Sequence, residues 1–126
     1  MIEKKAVYKC EVCGNIVESL WTGKPSIFCC NKEMVSLKPN TVDAAVEKHV
    51  PVIIRDGKKV TVKVGDVAHP MTKDHFILFT EVVAGDKVYR KDLTEMDDKA
   101  EATFFIEETA IKARAYCNLH GFWSSK

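Results

Sequence analysis

Nine side chains in the sequence carry metal-binding or redox chemistry, five cysteines and four histidines. They fall into two groups. Cys10, Cys13, Cys29 and Cys30 lie in the first 30 residues, and His49, His69, His75, Cys117 and His120 occupy the rest. An odd number of cysteines fits a disulfide scaffold poorly. In a reducing compartment such thiols more often bind metals or react.

The first group begins as a knuckle, Cys10-Glu11-Val12-Cys13, followed by Gly14, which lets backbone amides turn toward the sulfurs. Cys29-Cys30 is less usual, because a zinc ribbon closes with a second C-x-x-C. Adjacent side chains diverge along an extended chain, so both sulfurs reach one ion only if the backbone turns there. Soft thiolates suit iron or zinc. Zinc would only fold the segment, whereas iron would also carry one electron. Spacing leaves both open.

In the second group each histidine alone reads as an ordinary hydrogen-bonded residue. Together with the C-x-x-H loop Cys117-Asn118-Leu119-His120 they read differently. Five ligands exceed what a tetrahedral structural zinc needs. On a six-coordinate iron, five nitrogen and sulfur donors leave one position for a small molecule. A copper site of the cupredoxin type would use two histidines, one cysteine and commonly a methionine just after them. No methionine follows Cys117.

Elements must bring these residues together. Residues 1–37 are too few to stand on apolar burial alone, since folds below ~40 residues usually need a staple. Tyr8, Val12, Ile16, Val17 and Ile27 suggest short strands around turns. Lys38-Pro39-Asn40 favours a turn and links this segment to residues 38–126. There the pattern predicts seven strands: 52–55, 59–64, 76–83, 87–92, 102–106, 111–117 and 122–123. Asp56-Gly57 and Ala84-Gly85-Asp86 mark tight hairpins. Val60, Val62 and Val64 alternate with Thr61 and Lys63, as a half-buried strand requires. A short helical turn is expected over 40–48, ended before Pro51. The fold class is therefore all-β, a small metal-stapled domain followed by a seven-stranded β-sandwich. Because consecutive antiparallel strands alternate in direction, His49, the 69–75 loop and the 117–120 loop should share one end of the sandwich.

Composition narrows the classes of function. The chain is 46% hydrophobic and 29% charged, which suits a packed soluble core. A formal charge of +1 argues against bulk nucleic-acid or membrane binding. No apolar run approaches the ~20 residues of a membrane span. The start, Met1-Ile2-Glu3-Lys4-Lys5, lacks the apolar core of a secretory signal, so a cytoplasmic location is expected.

The motifs also resemble a known family. Cys10-Glu11-Val12-Cys13-Gly14 with Cys29-Cys30 looks like a desulforedoxin-type iron module. Glu47-Lys48-His49-Val50-Pro51, Ala68-His69-Pro70-Met71, His75 and Cys117-Asn118-Leu119-His120-Gly121 look like superoxide reductase. Together, over nearly the whole chain, they resemble the desulfoferrodoxin family. The resemblance implies two mononuclear non-haem irons, Fe(Cys)4 at Cys10, Cys13, Cys29 and Cys30, and Fe(His)4(Cys) with His49, His69, His75 and His120 equatorial and Cys117 axial. It implies an immunoglobulin-like sandwich, a homodimer and one-electron reduction of superoxide to hydrogen peroxide, with rubredoxin or a similar protein as electron donor. Glu47 is implied to occupy the open position of the oxidised site, and Lys48 to attract the anion and organise proton delivery. Many members carry Glu where this chain has Ala115, a departure that bears on rate. The competing expectation is an electron-transfer protein whose second metal binds no substrate.

Overall fold

The computed structural model describes residues 5–21, 23, 26–41, 49–65 and 69–125. The chain partitions into two compact units, Met1–Lys38 and Pro39–Lys126.

Among its described residues the first unit holds five short strands: β1 (Val7–Lys9), β2 (Ile16–Glu18), β3 (Phe28–Cys29), β4 (Lys32–Glu33) and β5 (Val35–Leu37). β1 lies between β2 and β5, antiparallel to both, while β3 and β4 form a separate hairpin. Among its described residues Val7 is buried, and Tyr8, Cys10 and Met34 form a small buried cluster with Ala6, Ile27 and Cys29 against them. One of the three is a candidate metal ligand, so this core is too small to carry the fold by burial alone. Val12 lies in a turn rather than a strand and is 64% exposed, because the knuckle turns its middle residues outward.

The described residues of the second unit form a two-sheet sandwich of seven strands: β6 (Pro51–Asp56), β7 (Lys59–Val64), β8 (Ile77–Ala84), β9 (Lys87–Asp92), β10 (Glu101–Phe105), β11 (Ile111–Cys117) and β12 (Gly121–Ser124). One sheet has the order β10-β7-β6 and the other β12-β11-β8-β9. In the constant-type immunoglobulin arrangement the fourth strand joins the sheet of the first, second and fifth. Here a two-residue loop, Gly85-Asp86, keeps β9 beside β8. Both hairpin loops are one residue shorter than the predicted strand bounds leave, because the incoming strand runs one residue further. Asp56 and Ala84 end their strands, paired with Lys59 and Lys87. Gly57 and Gly85 take the first loop position with φ of 60° and 63°, where a II′ turn places its glycine.

The core lies between the sheets. Val60, Val62, Val82, Ala84, Ile106 and Ala113 form one buried cluster. Val64, Ile77, Leu93, Ala100, Ala115 and Cys117 form the next. Ala113, Ala115 and Cys117 alternate along β11, so the thiol of Cys117 ends an inward-facing row. The helical turn expected over 40–48 falls mainly on residues 42–48, outside the described residues. Asn40 is extended and bridges Trp123 in parallel.

Candidate metal centres

In the first unit, all four sulfurs lie within 4.8 Å of one another. Sulfurs at the corners of a tetrahedron around one ion, each ~2.3 Å from it, are ~3.8 Å apart. Cys13 Sγ stands 3.6 Å from Cys29 Sγ, and Cys29 Sγ stands 3.9 Å from Cys30 Sγ. The thiol cluster therefore fits a single tetrahedral ion. Two local turns produce it. Gly14, at φ 85°, closes the knuckle, its N–H donating to Cys10 O at 2.9 Å. Cys30 and Asn31, at φ 54° and 61°, form the two-residue loop between β3 and β4, with the paired positive angles of a I′ turn. That turn lets neighbouring cysteines share one site.

Charge in the cluster is unevenly disposed. The Cys13 backbone N–H points at Cys10 Sγ from 3.5 Å, and this above all lowers the Cys10 thiol to about 6. The thiols of Cys29 and Cys30 are raised, both chiefly by the sulfur of Cys13, and Cys30 reaches about 12. Four sulfurs this close cannot all carry charge without a cation among them. Sequence reasoning missed Asn15, whose Nδ2–H points at Cys29 Sγ from 3.8 Å.

In the second unit the ligand atoms of His49, His69, His75 and Cys117 also lie within 4.8 Å of one another. That is about the span of opposite ligands around one ion with ~2.0–2.3 Å bonds. His120 joins them. Its ring centroid is 4.7 Å from that of His49 and 5.0 Å from that of His75, and its Nδ1 is 3.7 Å from Cys117 Sγ. His49 immediately precedes the strand segment, His69 and His75 come from the β7–β8 loop, and Cys117 and His120 span the β11–β12 turn. All five thus gather at one end of the sandwich. His69 Nδ1–H donates to Pro70 O at 2.7 Å, which leaves Nε2 to face the cluster. Nitrogen donors with one thiolate suit a redox-active transition metal. Glu47 and Lys48 lie outside the described residues.

Two further residues contact the segments that carry the ligands. Asn118 Oδ1 accepts from Phe76 N at 2.9 Å and its Nδ2–H donates to Asp74 O at 3.0 Å, tying the Cys117 loop to the segment around His75. Trp123 stacks on His49, centroids 4.9 Å apart. The only sequence signal for Asn118 was its place inside the C-x-x-H loop.

Fold and sites define a class: a protein of two metal modules, a thiolate-stapled knuckle unit and a β-sandwich with a histidine-rich metal site at one end. The family models agree. "Desulfoferrodoxin" matches residues 41–126, and "Desulfoferrodoxin, N-terminal domain" matches residues 2–37. The desulfoferrodoxin of Syntrophotalea carbinolica is 54% identical over 126 residues, covering 100% of this chain and 99% of that one. The crystal structure of the superoxide reductase from Treponema pallidum superposes with a TM-score of 0.77 at 29% identity, covering 100% of both chains. A one-iron superoxide reductase from Giardia intestinalis matches 63% of this chain and 95% of its own, at 28% identity and a TM-score of 0.57. The chain belongs to the desulfoferrodoxin family.

Proposed function

We infer that the chain is a superoxide reductase, with iron in both centres. The observation that carries this reading is the gathering of four imidazoles and one buried thiol at one end of the sandwich, a donor set with room for one more ligand. Iron bound there supplies one electron to superoxide, which takes up two protons and leaves as hydrogen peroxide. His49, His69, His75 and His120 hold the metal, and Cys117, at the end of the inward row of β11, contributes an electron-rich anionic donor. Lys48 draws the anion in and organises water for proton delivery. Glu47 would supply a carboxylate ligand to oxidised iron held there. These two roles rest on the motif that leads into His49.

Residues 1–37 form the desulforedoxin-like module and residues 38–126 the catalytic one. Cys10, Cys13, Cys29 and Cys30 fill every position of the first iron, so it folds its module and passes electrons. Rubredoxin or a protein like it supplies them, and the protein works in superoxide detoxification. A second copy of the chain completes a homodimer. Val12, Leu20, Trp21 and Phe28, all exposed in the first unit, support an apolar contact there. The location is the cytoplasm, where free cysteines persist. Among the described residues, no helix is long and apolar enough to cross a membrane.

Metal analysis joined to an optical spectrum tests this reading. It predicts two irons per chain, little zinc, and a ferric spectrum that azide or cyanide shifts. A spectrum indifferent to both anions would favour a pure electron carrier.

A further inference from the structure

His and Trp side chains have a broad χ2 torsion, so a ring holds one orientation only when something fixes it. At His69 a hydrogen bond to Pro70 O does so. At His49 the face of the imidazole rests on the indole of Trp123, with centroids 4.9 Å apart and planes 18° from parallel. The same indole donates from Nε1 to His120 O at 3.1 Å. One side chain therefore touches both the residue that leads into β6 and the turn between β11 and β12. Its own backbone is anchored on two sides, paired with Ala115 in β11 and bridged to Asn40.

We propose that Trp123 is a positioning residue of the second metal centre. Its indole plane sets the rotation of the His49 ring, and its N–H fixes the loop that delivers His120. Two ligands 71 positions apart in the chain, His49 and His120, are thereby aimed at one point. The role rests on reading the second cluster as a metal centre, and it does not depend on which anion that centre reduces. Outer-shell partners that orient ligands typically govern metal affinity by 10- to 100-fold.

The test uses the full-length, iron-loaded chain with Trp123→Phe, which keeps a flat ring and drops the N–H, and Trp123→Leu, which drops both. Three readouts follow the second centre: its affinity for iron against a chelator, the electron paramagnetic resonance signal of its ferric state, and its midpoint potential. The Leu variant should lose about 10- to 100-fold in affinity, with a changed signal and potential. The Phe variant should recover most of the affinity but keep an altered signal. The tetrathiolate spectrum should stay unchanged in both, as a control on the rest of the chain. Identical affinity, signal and potential in all three proteins would overturn the proposal. If the Leu variant fails to fold, the Phe variant decides, and a wild-type signal and potential in it would overturn the proposal. Absence of a second metal in the unsubstituted protein would instead overturn the reading of the cluster itself.

Discussion

Cys30 adopts a conformation that few side chains accept. Its φ of 54° is left-handed, and for a residue with a Cβ this costs roughly 1–2 kcal/mol. The turn is kept because it brings the sulfurs of Cys29 and Cys30 to one site. This feature was legible in the sequence, since adjacent cysteines cannot share an ion along an extended chain. Thr80 was not legible. It is fully buried, opposite Ala115, and its hydroxyl has no hydrogen-bond partner among the described residues. A strand of mixed polarity gives no sign of such a group. Thr80→Val removes the stranded oxygen and keeps the shape, so it should stabilise the sandwich by about 1 kcal/mol. Urea unfolding should show a higher midpoint with an unchanged slope. At Lys48 the proposed role is in encounter with the substrate. Lys48→Ile should slow the reaction with superoxide and flatten its dependence on ionic strength, because salt screens long-range steering. Unchanged pulse-radiolysis kinetics would remove Lys48 from the account.

Among the elements, β8 and β11 carry the most consequence, because β11 ends at Cys117 and β8 begins beside it. Glu81 and Arg114 face each other across this pair, on the side away from the core row of Ala113 and Ala115. Arg114 Nε and Nη2 donate to the same Glu81 oxygen at 3.0 and 2.7 Å, and the guanidinium lies 5.3 Å from the Phe122 ring centroid. Both residues are buried. Removing one partner from such a pair strands the other charge. Arg114→Met should destabilise the sandwich by about 3–5 kcal/mol, while adding Glu81→Leu should restore much of the loss. Thermal unfolding of the two variants measures this, and a double variant no more stable than the single would contradict it. All seven sandwich strands could be read from alternation and glycine turns. The Glu81–Arg114 pairing could not, because β8 and β11 are not consecutive strands and no hairpin turn fixes their register. The contact between Trp123 and His49 is hidden for the same reason, since it joins residues 74 positions apart.

For the chain as a whole, the proposed function divides the work between the two centres. Each module matches its own family model, and the five donors of the second centre all follow the Lys38-Pro39 boundary. Cys13→Ser should perturb or remove the first iron and weaken folding of the small unit, because metal binding contributes directly to the stability of a domain with so little core. The second centre should keep its iron, visible in its own ferric spectrum, and the pre-reduced variant should still consume superoxide. Loss of that reaction with the second iron retained would refute the division.

The centre of His49, His69, His75, His120 and Cys117 is expected to reduce superoxide rather than relay electrons or dismutate the anion. Pulse radiolysis of the pre-reduced full-length chain, with hydrogen peroxide and dioxygen measured together, tests it most directly. Reduction predicts growth of the ferric absorption of the second centre in step with superoxide loss, one peroxide for each superoxide consumed, and no dioxygen released. Peroxide at half that yield with dioxygen evolved, or a ferrous centre that ignores superoxide, would contradict it.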